Sequence, residues 1–199
     1  HGGKKLGLQL LNRVKPLFEA EKVELFVIET TYAGHAQDLA HQLDFSKFDG
    51  FLAIGGDGTL HEVVNGMLSR PDKKRVPIGI IPGGSGNSYM HDLELTDPLK
   101  AAKAIIRGKT MFVDAAQVEV NHVTKYAINV IGWGMVTDVG KNAERYRWLG
   151  TNRYTIISLM EVFRKRIRSA ALIIDGKKIE DEFTFIIACN SIHVGKGMQ

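Results

Sequence analysis

Two glycine-rich segments each follow an apolar run and precede a helical pattern, and their residue types suit phosphate binding. The first is Gly55-Gly56-Asp57-Gly58-Thr59 and the second is Pro82-Gly83-Gly84-Ser85-Gly86-Asn87. A phosphate needs backbone N–H groups that converge on it with no Cβ in the way, which glycine supplies, and a helix N-terminus adds favourable partial charge. Either segment alone is also typical of a tight turn with Asp, Ser or Asn as a helix cap. Two of them at corresponding positions favour a phosphate site.

An acid, Asp57, lies inside the first segment, where it would repel a nucleotide unless it has another task. Its carboxylate could hold Mg²⁺ or accept the proton of an attacking hydroxyl, and both are parts of phosphoryl transfer. The structural alternative is that Asp57 only caps the helix that starts near Thr59. The two roles can coexist.

Three other catalytic motifs are incomplete in this chain. No Gly-x4-Gly-Lys-Ser/Thr pattern occurs, which excludes a P-loop nucleoside triphosphatase. In the helical run 61–65, Asn65 replaces the second histidine of a zincin, so zinc is not expected. The segment 83–87 nearly matches the Gly-x-Ser-x-Gly elbow of serine hydrolases, but Asn87 replaces the last glycine and the pattern offers no basis for choosing an acid and a histidine partner. A hydrolase is therefore disfavoured.

Strand and helix patterns alternate through the first half of the chain. Helical spacing of apolar residues covers 5–20, 34–43, 59–68 and 101–106, and β-type runs cover 23–28, 50–54 and 76–81. Such alternation predicts a parallel sheet covered on both faces. Ligands then bind beyond the carboxyl ends of the strands, where both glycine segments fall.

The second half reads differently, with short strands joined by tight turns. Strands are predicted at 111–120, 125–131, 170–175 and 178–188, and helices at about 136–148 and 152–167. Asp175-Gly176 predicts a hairpin turn. We therefore predict an α/β domain over residues 1–109 and a mainly antiparallel, β-rich domain over residues 110–199.

The composition narrows the class of protein. With 44% apolar and 24% charged residues, the 199-residue chain is expected to be globular, and its net charge of +4 suits phosphates or an anionic membrane without requiring either. No run of about 18 apolar residues occurs, so no membrane span is predicted. The one cysteine, Cys189, excludes an internal disulfide, fits a reducing, cytoplasmic location and is expected to be buried.

Together these segments resemble the diacylglycerol kinase/sphingosine kinase family. The resemblance rests on residues 55–66 and 81–87, and it extends to 1–5, to 30–36 and, in the sphingosine and ceramide kinase branch, to 133–139 and 144–150. It implies an NAD-kinase/phosphofructokinase-like three-layer nucleotide-binding domain followed by a β-rich, sandwich-like lipid-binding domain. That second domain is expected to be incomplete in this chain.

The resemblance also implies a lipid kinase that uses Mg²⁺ and ATP to phosphorylate a lipid hydroxyl. Asp57 matches the general base, and Asp138 is a candidate substrate contact; no metal ligand is assigned. The nucleotide would be contacted by Thr30, Gly34, Gly55, Gly56, Gly58, Thr59, Glu62, Gly83, Gly84, Ser85, Gly86, Asn87, Arg147 and Arg153. A lipid substrate requires transient contact with a membrane surface, for which Arg164-Lys165-Arg166 and Arg168 are candidates. No nucleic-acid partner is expected.

Departures from the family leave the acceptor open. Gly140 stands where sphingosine kinases place an acid that holds the substrate's ammonium end, and Val130 corresponds to a serine of that branch. Both weaken the case for a sphingoid base and leave an uncharged lipid such as diacylglycerol or ceramide open, so the expected acceptor is diacylglycerol, ceramide or a sphingoid base. Two other functions stay open as hypotheses: a kinase of a soluble substrate, of the NAD-kinase type, and a nucleotide-binding module without catalysis. The oligomeric state is not predicted.

Overall fold

A computed structural model describes residues 6–84, 86–135, 137–138 and 166–193. Helices and strands are mixed along the chain, which confirms the predicted α/β class in its secondary-structure content. In chain order the elements are α1 (Gly7–Ala20), α2 (His35–Gln42), β1 (Phe51–Gly55), α3 (Asp57–Leu68), β2 (Ile78–Pro82), α4 (Ser88–Asp92), α5 (Pro98–Ile106), β3 (Ala116–Val120), β4 (Val123–Ala127), β5 (Val130–Gly134), β6 (Arg168–Ile174), β7 (Lys177–Phe183) and β8 (Phe185–Cys189).

The chain forms two compact units, which are described separately. One contains residues 1–129 together with 190–199, and the other contains 130–189. The three-layer arrangement and the assignment of domains to residues 1–109 and 110–199 stay predictions.

In the first unit, β1 and β2 are neighbouring parallel strands. Their register runs from Phe51 opposite Ile78 to Gly55 opposite Pro82, so both strands end at the same edge of the sheet. Each strand is followed by a short glycine segment and then by a helix, α3 or α4. This connection places the two glycine segments side by side.

The core of this unit forms where helices pack on these two strands. Helix α3 buries one apolar stripe, and α1, α2 and α5 contribute further buried side chains at helical spacing. The fully or nearly fully buried residues include Val14, Phe18, Ala40, Leu60, Val63, Met67, Ile81, Ala101 and Ala102. Burial of this kind stabilises by about 25 cal/mol per Å² of apolar surface, and it fixes the helix N-termini relative to the strands.

A buried arginine ties α2 to the chain that follows α3. Arg70 donates from Nη1 to the carbonyl oxygens of His41 and Leu43, at 2.8 and 2.9 Å, which lie at the C-terminal end of α2. Its Nε and Nη2 atoms bind the two carboxylate oxygens of Asp72 at 2.9 and 2.6 Å. The guanidinium thus satisfies carbonyl groups that a helix end leaves without intrahelical partners.

Four strand predictions differ from the structure in the described residues, those at 23–28, 111–120, 125–131 and 178–188, and the third of them spans parts of β4 and β5. Segment 23–28 belongs to no strand, and in the part of the chain that the structure describes β1 pairs only with β2. Residues 111–115 are likewise outside any strand and exposed, and β3 begins at Ala116. A cavity of about 500 Å³, lined almost entirely by apolar side chains, has 25–28 and the residues of β1 in its walls.

The second unit contains two antiparallel pairs, β5 with β8 and β6 with β7. Residues Asp175 and Gly176 join β6 to β7 with φ of 49° and 78°, which confirms the predicted hairpin turn. The predicted strand 178–188 is instead two strands, β7 and β8. Cys189 is exposed, so the expectation that it is buried is wrong.

None of the helices in the described residues is long and apolar enough to cross a bilayer. The predicted helices at 136–148 and 152–167 lie almost entirely outside the described residues.

Candidate nucleotide site

The two glycine segments are in direct contact at the edge of the sheet. Gly83 N–H donates to the Gly55 carbonyl at 2.8 Å. A Cβ added to Gly56 would lie 2.8 Å from Gly84 Cα, and one added to Gly84 would lie 2.5 Å from Gly56 Cα. Real Cβ atoms do not approach this closely, so only glycine at both positions allows the two segments to meet. The prediction that both lie at one edge is therefore matched by their geometry.

Asn87 shapes the second segment. Its Oδ1 accepts from Gly84 N–H at 3.1 Å, and its Nδ2 donates to the Gly84 carbonyl at 3.0 Å. Asn87 itself has a left-handed backbone with φ of 58°, a conformation that asparagine tolerates better than most residues. The side chain thus closes a tight loop directly before α4.

Asp57 reaches across to the second segment. It is the first residue of α3, and Gly56 is the N-cap. Its Oδ2 accepts from Ser88 N–H at 2.9 Å and its Oδ1 from Tyr89 N–H at 3.2 Å. Asp57 therefore caps α4, not the helix near Thr59 that the structural alternative named. A carboxylate has about four acceptor positions, so these two bonds orient it and leave acceptor capacity on both oxygens.

Helix α3 also holds the segment 30–34 beside the site. Glu62 Oε1 accepts from Gly34 N–H at 3.0 Å, and Gly34 is the N-cap of α2 with φ of 93°. At 1.5 Å rise per residue, Glu62 lies about 7.5 Å along α3 from Asp57. The two predicted contacts Glu62 and Gly34 are thus brought together, one and a half turns from the glycine segments.

The remaining predicted residues fall into four sets. Four of them, Thr30, Gly55, Thr59 and Gly83, line the apolar cavity. Gly58 is exposed at the start of α3. Ser85, Arg147 and Arg153 lie outside the described residues. Asp138 belongs to the other unit, where its Oδ2 atom accepts from Arg168 Nη2 at 2.6 Å.

The apolar cavity is not itself suited to a nucleotide. Its lining is dominated by leucine, isoleucine, valine and phenylalanine, which offer a triphosphate neither N–H donors nor positive charge. Backbone N–H donors are offered instead by the two glycine segments, of which Gly55 and Gly83 reach the cavity wall. We therefore place the candidate phosphate site at those segments and not in the cavity.

Two hydrogen-bonded clusters of side chains were not predicted by the sequence analysis. In the first, the Tyr32 hydroxyl donates to Asp38 Oδ2 at 2.8 Å, which raises the pKa of the tyrosine, and the Tyr32 ring stacks on His35. In the second, Asp92 at the end of α4 accepts from the backbone N–H of His193 at 3.1 Å and contacts its Nδ1. Asp92 and His193 are 101 positions apart, and no spacing pattern could have joined them. Tyr32 was detectable as an aromatic residue inside the predicted contact segment.

Comparisons with known proteins show which family the chain resembles. A family model described as the diacylglycerol kinase catalytic domain matches residues 1–118. The chain is 38% identical to sphingosine kinase 1 of Arabidopsis thaliana over 81% of its length, and 30% identical to human ceramide kinase over 79%. These matches cover 35% and 33% of the two relatives, so the chain spans about a third of their length.

A solved structure shows the same likeness. The chain superposes on a putative diacylglycerol kinase from Bacillus anthracis str. Sterne with a TM-score of 0.75 and 26% sequence identity. The match covers 97% of this chain and 64% of that one.

Proposed function

The chain belongs to the diacylglycerol kinase catalytic domain family, and from this premise we propose that it transfers the γ-phosphoryl group of ATP to a lipid hydroxyl. The observation that supports the proposal is the contact between Gly56 and Gly84, which brings the two glycine segments and one carboxylate together at a single edge of the sheet. Relatives of this chain are named as sphingosine and ceramide kinases.

The backbone N–H groups of the two glycine segments would bind the phosphates. Glycine leaves these groups accessible, and the N-terminus of α3 adds favourable partial charge at the first segment. Thr30, Gly34 and Glu62 would lie on the nucleoside side, because they are displaced along α3 from Asp57. Arg147 and Arg153, which lie outside the described residues, are proposed to approach the phosphates.

Asp57 is the proposed general base. Its carboxylate would accept the proton of the lipid hydroxyl, the hydroxyl oxygen would form a bond to the γ-phosphorus, and the bond between that phosphorus and the bridging oxygen would break to release ADP. The N–H groups of Ser88 and Tyr89 hold the carboxylate in place, at 2.9 and 3.2 Å. A base that is already oriented costs little reorganisation during transfer.

The residues present also fit a magnesium ion. A metal site built from protein side chains alone is not found among the described residues, since no three or more His, Cys, Asp or Glu side chains group together there. Magnesium in kinases is usually held by one or two carboxylates together with phosphate oxygens and water, and Asp57 is the carboxylate available at the glycine segments. When bound there, the ion would neutralise charge on the triphosphate.

The acceptor is proposed to be an uncharged lipid, diacylglycerol or ceramide, in preference to a sphingoid base. The proposal rests on Gly140, which has no side-chain charge to offer an ammonium group and which lies outside the described residues. Transient contact with a membrane surface follows from any lipid acceptor. Of the basic cluster expected to make it, Arg168 is bound to Asp138, so Arg168 is a weaker candidate for lipid headgroups than its charge suggests.

The test is phosphoryl transfer from γ-labelled ATP to a panel of diacylglycerol, ceramide, sphingosine, monoacylglycerol and NAD. A labelled phosphorylated lipid supports the proposal, and the lipid that is labelled fastest names the acceptor. Labelled NAD without labelled lipid would replace the proposal with the soluble-substrate alternative. Tight ATP binding with no labelled product would support a nucleotide-binding module without catalysis.

A further inference from the structure

Helix α4 is bound by a carboxylate at each of its ends. At the N-terminal end, Asp57 accepts hydrogen bonds from the backbone N–H groups of Ser88 and Tyr89, at 2.9 and 3.2 Å. At the C-terminal end, Asp92 accepts from the backbone N–H of His193 at 3.1 Å, and its Oδ1 atom contacts the Nδ1 atom of the same histidine. At a rise of 1.5 Å per residue, Ser88 and Asp92 are about 6 Å apart along the helix.

A helix as short as α4 depends on contacts outside itself. It has five residues, and isolated helices of fewer than about 12–15 residues are only marginally stable in water. Its most deeply buried side chain is Met90, which packs in the core of the first unit. Apolar packing has no preferred direction, whereas hydrogen bonds do. Packing therefore fixes where α4 lies, and the bonds at its two ends fix how it is turned.

The backbone that carries His193 is fixed independently of α4. Three residues earlier in the chain, the Nδ2 atom of Asn190 donates to the carbonyl oxygens of Asp114 and Ile128, at 2.8 and 3.0 Å. Ile128 belongs to the buried core of the first unit. The histidine is thus attached to that core by a second route, so it can hold the end of α4 in place.

The contact between Asp92 and His193 is sheltered from water. The two side chains are only 16% and 17% exposed, and the ring of His91 lies beside that of His193 with centroids 5.6 Å apart. Burial raises the pKa of the Asp92 carboxyl, but the hydrogen bonds from His193 outweigh that effect and lower the pKa overall. The carboxylate is therefore charged at neutral pH, and hydrogen bonds to a charged acceptor are roughly twice as strong as neutral ones.

We propose that Asp92 and His193 are positioning residues for phosphoryl transfer, which act on Asp57 through helix α4. The inference rests on the proposed function and adds two residues that act without contacting the reacting atoms. The N–H groups that orient the Asp57 carboxylate belong to α4, so a change in the direction of this helix changes the direction of the base. A misplacement of 1 Å can cost about 100-fold in rate, so a small tilt of α4 is enough to slow transfer.

The test measures transfer from γ-labelled ATP to the lipid that wild type prefers, for wild type, His193→Ala and His193→Asn. Alanine removes the side-chain contact with Asp92, so kcat should fall about 10- to 100-fold while KM for ATP stays within about 3-fold. Asparagine carries an N–H donor at the same distance from the backbone as Nδ1 of histidine, so His193→Asn should recover kcat to within about 3-fold of wild type. Asp72→Asn, which weakens a carboxylate pair away from α4, is the control for stability and should leave kcat within about 2-fold.

Amide hydrogen exchange provides a second measurement that does not depend on activity. The N–H groups of Ser88 and Tyr89 are protected by their bonds to Asp57. In His193→Ala these two amides should exchange at least about 5-fold faster, while the amides of β1 exchange at the wild-type rate. A substitution that merely loosened the whole fold would speed exchange in both places.

Three outcomes would overturn the inference. A kcat of His193→Ala within about 2-fold of wild type would show that the pair does not position the base. Equal losses of kcat in His193→Ala and His193→Asn would show that the N–H donor to Asp92 has no role. Unchanged exchange at Ser88 and Tyr89 in His193→Ala would show that the pair does not hold α4. Wild-type protein that labels no lipid would overturn the proposed function instead, and the exchange measurement separates that failure from failure of the anchor.

Discussion

Replacing Gly84 with alanine puts a methyl group where the two glycine segments touch. The new Cβ would lie 2.5 Å from Gly56 Cα and 3.0 Å from Gly56 N. Neither is the end of a flexible side chain, and carbon atoms pack comfortably at about 3.5–4.0 Å. The segments must therefore separate by roughly 1 Å, since no rotamer change can relieve the contact.

The size of the effect follows from that separation. Inserting a methyl group into a close-packed contact costs about 1–3 kcal/mol. For a chain of this length, 1 kcal/mol lowers the melting temperature by about 2–4 °C, so Gly84→Ala should melt about 2–12 °C below wild type. A hydrogen bond to a charged group contributes about 1.5–3 kcal/mol, so displacing even one N–H donor should weaken ATP binding by at least about 10-fold.

The assay is differential scanning calorimetry of wild type and variant, followed by calorimetric titration with ATP. Gly58→Ala in the same neighbourhood is the matched control for folding, because a Cβ at Gly58 meets nothing within 4 Å. Alanine is favoured over glycine in a helix by about 0.5–1 kcal/mol, so this control should melt no lower than wild type. If Gly84→Ala matches wild type in both melting temperature and ATP affinity, the two segments are not in contact and the proposed site is wrong.

Two further predictions concern the frame around the site. Asn65 is buried and exchanges two hydrogen bonds of 2.9 Å with the backbone of Tyr126, so Asn65→Leu should lower the free energy of unfolding in urea by about 2–4 kcal/mol. The control Asn12→Leu, on an exposed helix face, should change it by less than about 0.5 kcal/mol. Equal effects of the two substitutions would show that the Asn65–Tyr126 hydrogen bonds do not stabilise the fold. The hydrogen bond from Arg70 lowers the pKa of Asp72 from 3.8 to about 2, so the stability it contributes is present above pH 3.8 and is lost as the pH falls through about 2. The stability gap between wild type and Asp72→Asn should therefore narrow between pH 4 and pH 2, and a gap that stays constant would contradict this pairing.

The sequence predicted those elements whose signals are local. Helices α1, α2, α3 and α5 lie within about three residues of their predicted bounds, because apolar spacing and terminal glycines mark them. The hairpin turn at residues 175–176 was also predicted, since only a few residue pairs tolerate two successive positive φ angles.

Strand pairing was less predictable because it depends on a partner elsewhere in the chain. Segment 23–28 has a β-type composition and yet joins no strand in the described residues. The long run 178–188 breaks at Thr184 into two strands that pair with different partners, β6 and β5. Composition reports that a segment can be extended, whereas the partner decides whether it becomes a strand.

The site itself was predicted as a set of residues but not as an arrangement. The two glycine segments and Asp57 were recognised from type and spacing. That Asp57 would bind the N–H groups of Ser88 and Tyr89, and that Glu62 would bind Gly34, depends on how α3 packs beside its neighbours. Contacts of this kind span about 30 positions in the chain and leave no periodic signal.

Asp57 is proposed to act as the base in phosphoryl transfer from ATP to a lipid. The most direct measurement compares wild type with Asp57→Asn for two quantities: the rate of label transfer from γ-labelled ATP to the lipid that wild type prefers, and the dissociation constant for ATP in the absence of magnesium. A general base contributes about 10²- to 10⁴-fold to rate, so transfer should fall by at least about 100-fold while ATP affinity stays within about 3-fold. Transfer at the wild-type rate would remove Asp57 from the base role. A parallel loss of ATP binding would instead make it a residue that only holds the two segments together, which contradicts the account.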